Sequence, residues 1–192
     1  MRQNIIIALA LMLIPGFLSG QYLYDVTEAH PYGQPNPEAP EAVKAFAPLI
    51  GKCACKSTSR LPDGTWADPV DMIWTFKYIM NGFAVQDETL KADGKHSGSI
   101  RQYDPEQETW LVHYYANAPK APLPHWTGGA TGEELIFSRE QNAPNGAEGT
   151  FRLRFHDISE SGYHWVGAWV SKDESIIFPS WKIECTRKGI GE

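Results

Sequence analysis

The chain has 192 residues, a formal net charge of −6 and only three cysteines. Acidic and basic residues are interspersed with no basic stripe, so nucleic-acid binding is excluded on charge. The length suits one domain with a sizeable core.

Arg2 is followed by an unbroken apolar run, Ile5 to Ile14, then by Pro15-Gly16 and the small residues Ser19-Gly20. A charged start, a short apolar middle and small residues at the end form the layout of a secretory signal peptide. Residues 1–20 are therefore expected to be removed, with cleavage after Gly20. The run falls short of the roughly 20 apolar residues of a comfortable membrane span; an uncleaved anchor is the alternative. The expectation is an exported, soluble product, periplasmic or extracellular, with no stable membrane span after signal removal.

Residues 21–40 are rich in Pro, Gly and polar groups and read as an irregular leader. The segment EAVKAFAPLIG places Val43, Phe46, Leu49 and Ile50 at spacings that predict one short amphipathic helix, stopped by Pro48 or Gly51. From Gly51 onward the apolar rhythm changes to period two, broken by turn signals such as Asn81-Gly82, Asp93-Gly94 and Asp104-Pro105. Met72, Trp74, Phe76 and Tyr78 share one strand face. Trp110, Val112 and Tyr114 share another, with Leu111, His113 and Tyr115 opposite. A Pro-rich loop is read over residues 117–129. The spacing predicts about eight to ten short strands joined by hairpins, an all-β, antiparallel up-and-down β-barrel with a short N-terminal helix over residues 41–188.

Cys53 and Cys55 stand two apart, so both point to one face of the first strand. A bridge from either of them to Cys185 would join the first strand to the last; three buried free thiols are the alternative. No His or Cys pair near Cys53-x-Cys55 completes a metal set, and no metal site is expected.

Several strings then form a pattern in order. Leu49-Ile50-Gly51 opens the first strand. An aromatic strand runs into NGFAVQDE (Asn81 to Glu88). SIRQYDP (Ser99 to Pro105) precedes Trp110, and Arg152 to Ser159 leads into Tyr163-His164-Trp165. Together they resemble a bacterial lipocalin-like (calycin) β-barrel family of unknown function over roughly residues 41 to 188. The resemblance implies a barrel with an internal cavity and no established chemistry. Cys53 departs from the pattern, since related barrels often carry Trp after L-x-G-x. The haem-binding nitrobindins share the shape, but their Gly-x-Trp-x-Gly-like opening is missing, and no cofactor is expected.

Candidate site residues follow from what a small barrel would point inward. Trp74, Phe76, Tyr103 and Trp165 offer aromatic faces to a small, largely apolar ligand. Gln86 and Arg101 offer polar contacts, and Arg152 shares a face with Arg154. A lumenal arginine would grip a carboxylate or phosphate in a bidentate fork; a solvent-facing one would pair with a neighbour such as Glu134. Asp87, on the face opposite Gln86, is a candidate partner for Arg101. His113 serves either as a ligand contact or, with His164 and Asp87, as a candidate for acid–base catalysis of isomerase or lyase type. The catalytic motifs H-E-x-x-H and G-x-S-x-G are missing, as are phosphate-loop and dinucleotide fingerprints. The sequence thus supports a small-molecule binder first, an enzyme using the same cavity second, and an interaction module acting through the 117–129 loop third. Oligomeric state is not encoded in any motif.

Overall fold

The computed structural model describes residues 22–119 and 121–187; the segment read as a signal peptide lies outside them. The described residues form ten antiparallel strands: β1 (Gly51–Ser59), β2 (Val70–Ile79), β3 (Ala84–Lys91), β4 (Ser97–Asp104), β5 (Thr109–Ala116), β6 (His125–Thr131), β7 (Glu134–Glu140), β8 (Gly149–Ser159), β9 (Gly162–Ser171) and β10 (Ile177–Thr186). Each pairs with its neighbour in sequence, and β1 pairs with β10, so the sheet closes into an up-and-down barrel. Closure leaves no unpaired edge.

Among the described residues one helix precedes the barrel, Glu41–Leu49, and it is of the 3-10 type with Pro48 inside it. The spacing explains the type. Val43, Phe46 and Leu49 recur every three residues, which eclipses them on one face of a helix with 3.0 residues per turn. All three are buried in the core. Phe46 enters one end of the barrel as a plug, its ring centroid 4.7 Å from Trp110 and 6.1 Å from Phe137.

The leader lies against the same end. Tyr78 N donates to Tyr32 O at 2.8 Å, Asn36 N to Gly82 O at 3.2 Å, and Tyr24 N to the Asn81 side chain at 3.1 Å. The β2–β3 turn turns through the left-handed region, with φ of 55°, 53° and 82° at Met80, Asn81 and Gly82. Gly82 is required on two counts: its φ, and a Cβ there would lie 2.5 Å from Asn36 N.

Cys55 and Cys185 face each other across β1 and β10 and form a disulfide with a sequence separation of 130. Cys53 remains a buried free thiol. Burial pushes its pKa up, which keeps it protonated and unreactive.

One element departs from the expectation. The Pro-rich loop ends at Pro124, and His125–Thr131 is strand β6. Its sequence, HWTGGAT, carries no alternating apolar pattern because two glycines occupy its middle. Gly128 has φ 150° and a Cβ there would clash with the Ile136 carbonyl of β7, while a Cβ on Gly129 would lie 3.4 Å from the Trp110 ring.

Candidate functional site

The inward-facing residues divide the barrel into two unlike halves. Toward the helix they are bulky: Phe76, Tyr78, Trp110, Val112, Phe137, Phe155 and Tyr163, all buried. The Phe76 ring lies tilted 5.3 Å from Trp74 and edge-to-face 6.0 Å from Phe155, so this half is filled. Toward the other end the same faces carry Ser59, Thr89, Ser97, Ser99 and Ala116, and a cavity of about 550 Å³ opens there. On β9, Gly167 takes part in the change. A Cβ at this position would come within 2.9 Å of the Trp165 ring and 3.1 Å of Phe151, so its absence lets both rings into the wall.

An ion pair marks the floor between the halves. Asp87 and Arg101 are joined by a buried salt bridge, and Trp74 Nε1 donates to the second Asp87 oxygen at 2.8 Å. The guanidinium carbon lies 5.5 Å from the Phe46 ring, 5.2 Å from Phe76 and 5.9 Å from Phe155. Arg101 is thus committed to its carboxylate and to three aromatic faces.

Above this floor the wall is aromatic: Trp74, Tyr114, Trp126, Phe151, Trp165 and Trp181. Trp165 and Trp181 meet edge to face with centroids 4.9 Å apart. Lys91, Lys95, His96 and Arg139 join neutral polar residues such as Ser97 and Asn117 in the lining, and among the described residues Asp87 is its only carboxylate. Lys91 and Lys95 reach Asp93 at 3.6 and 3.5 Å. Arg139 has no carboxylate partner among the described residues. It lies over the Trp126 ring at 4.4 Å and donates to Gln141 Oε1 at 2.6 Å. Its Nε and the Trp126 Nε1 are both buried without a partner. Burial lowers the Arg139 pKa, the signature of a cation held partly out of water.

Of the residues singled out from sequence, Trp74, Asp87, Arg101 and Trp165 line the cavity. Phe76 lies below it in the filled half, and Tyr103 sits beside Trp110 at 5.7 Å. Gln86 is on the other face of β3, where its amide donates to Tyr115 Oη at 2.8 Å. Arg152 and Arg154 face outward, paired to Glu174 and Glu134 respectively, so Arg152 is not a lumenal anion grip. His113 also faces outward, its ring 6.3 Å from His125. His164 faces outward on β9, opposite His156. The acid–base trio of His113, His164 and Asp87 therefore does not assemble. Strand parity is the reason, because both histidines alternate with lumenal aromatics. Arg139 and Trp126 were missed, and parity signals one of them: Arg139 shares its face of β7 with Leu135 and Phe137.

No family model matches this chain, and no curated protein matches it. Among solved structures it is similar to a redesigned β-barrel, at 8% identity and a TM-score of 0.31, over 76% of this chain and 96% of that one. Among the described residues no helix is long and apolar enough to cross a membrane.

Proposed function

We propose that this chain is an exported, lipocalin-like carrier that takes a small, largely apolar molecule bearing one acidic group into the open half of its barrel. The observation that carries the reading is the change from bulky to small inward residues above the Asp87–Arg101 floor. It leaves about 550 Å³ walled by tryptophans, within the roughly 300–1,000 Å³ of small-molecule sites. The aromatic body of a ligand would lie against Trp74, Trp165 and Trp181. Its acidic group would meet Arg139, whose charge no protein carboxylate neutralises among the described residues. Export is supported by the N-terminal sequence layout and by the Cys55–Cys185 bridge, a bond that persists in oxidising compartments. In this reading residues 1–20 are the signal, 21–40 the leader and 41–188 the carrier domain.

Native mass spectrometry of protein purified from its own host tests the reading, alongside thermal-shift screening against apolar carboxylates. A retained small molecule, or a shift abolished when Ser99→Trp fills the lumen, is expected. Absence of both, or a shift that survives Ser99→Trp, overturns it. Arg139→Met should weaken an aryl carboxylate by about ten- to a hundredfold, the worth of a charge-assisted hydrogen bond, and leave its neutral amide unchanged. Equal losses for the two would remove Arg139 from recognition.

A further inference from the structure

A second cluster lies on the outer surface of β8 and β9. His156 and His164 face each other directly across the pair, ring centroids 5.4 Å apart. In a regular strand Asp157 would point to the side opposite His156. Here the ladder register shifts between His156 and Ser159, and Asp157 adopts φ 50°. The carboxylate thereby joins the histidines on one side. Its Oδ2 lies 2.8 Å from His156 Nδ1 and 2.9 Å from His164 Nδ1. Ligand-capable atoms of all three residues lie within 4.8 Å of one another. Bulges of this kind re-aim a side chain, and this one aims a carboxylate at two imidazoles.

We propose that His156, Asp157 and His164 form a surface site for one divalent transition-metal cation of the zinc, nickel or copper class. Two imidazole nitrogens and one carboxylate oxygen suit these borderline cations, whereas calcium and magnesium prefer oxygen donors throughout. Three protein ligands leave a coordination position for water. A tetrahedral cation with bonds of about 2.0–2.1 Å separates its donors by about 3.4 Å. The present spacings therefore open by about half an ångström, a movement available to side chains at a solvent-facing surface. Each neutral imidazole keeps one proton on binding: it moves from Nδ1 to Nε2 as the Nδ1 lone pair turns to the metal. Arg154, two residues before His156 on β8, makes two hydrogen bonds to Glu134, which offsets its charge.

The test is a titration of tag-free mature protein with Co²⁺, read by visible absorption, and with Zn²⁺, read by calorimetry. One ion per chain with micromolar affinity is expected. His156→Ala, His164→Ala and Asp157→Asn should each weaken binding by at least about tenfold, while His113→Ala and Cys53→Ser leave it unchanged. Asparagine tolerates the left-handed backbone at position 157, and unchanged thermal midpoints without metal confirm that each variant folds. Unaltered affinity in all three site variants, no binding in the wild type, or a loss that follows His113 instead would overturn the assignment.

Discussion

Replacing Arg101 by Met tests whether the floor of the cavity is a structural ion pair. The variant keeps an apolar stem among Phe46, Phe76 and Phe155 but removes the cation from Asp87. The carboxylate is then buried with the Trp74 indole as its one remaining side-chain donor. Breaking a buried pair on one side typically costs about 3–5 kcal/mol, because the surviving charge is uncompensated. In a domain of this size each kcal/mol moves the thermal midpoint by about 2–4 °C, so a fall of roughly 6–20 °C is expected. Removing both charges in Asp87→Leu/Arg101→Met leaves no stranded carboxylate. Its main loss is the acceptor of the Trp74 N–H, worth about 1–3 kcal/mol. The double variant should therefore be more stable than Arg101→Met alone. Urea unfolding with matched m-values reads both free energies. An Arg101→Met variant within about 1 kcal/mol of wild type, or a double variant no better than the single, would refute the reasoning.

The disulfide and the buried tyrosines give two further expected outcomes. Reducing the Cys55–Cys185 bridge, or replacing both cysteines by Ser, removes the covalent tie across the β1–β10 seam and frees the unfolded chain over a separation of 130 residues; a loss of about 2–5 kcal/mol is expected, and a urea midpoint indifferent to reductant would contradict it. Burial raises the Tyr78 pKa to about 12 and pushes Tyr163 well above its ordinary value. Because the folded state then holds its phenolic protons more tightly, stability is unaffected below the unfolded value of about 10 and falls as pH rises from there through about 12. Tyr78→Phe should flatten part of that decline in alkaline urea melts; an unaltered alkaline limb would count against the assignment.

The barrel was legible because period-two alternation is strong where one face meets a core. Met72, Trp74, Phe76 and Tyr78 all point inward as their spacing implies. The Asp87–Arg101 pair was legible as a candidate partnership and Glu134 as a partner for a solvent-facing arginine, and the structure holds both pairs, the second through Arg154. Other features were hidden for definite reasons. Strand β6 has glycines where a sequence reader looks for apolar residues, because the β7 backbone comes too close to Gly128 for a side chain and its φ of 150° favours glycine. The outward placement of His113 was undecided because apolar residues occupy both faces of β5, and that of Arg152 because alternation alone does not say whether the face opposite Phe151, Leu153 and Phe155 meets the lumen or water. The convergence of His156, Asp157 and His164 depends on a break in register, and period-two reading assumes that none occurs.

The two halves of the barrel constrain how any ligand would be held. The helix, the leader and the Phe46 plug close one end, and the buried ion pair closes the floor above them, so the cavity opens at the rim formed by the β3–β4 turn and by Asn117, Ala118, Leu123 and Pro124. A molecule entering there meets Lys91, Lys95, His96 and Arg139 before it reaches Trp74 and Trp165. Burying an acidic group deep in the lumen would set it against Asp87, whose carboxylate already occupies the Arg101 cation. Leaving that group at the rim places it beside Arg139, which has no competing carboxylate among the described residues. The charges therefore favour one orientation, apolar end down and acidic end up. An acid attached at the opposite end of a rigid ligand should bind more weakly than its isomer, although the two bury the same apolar area.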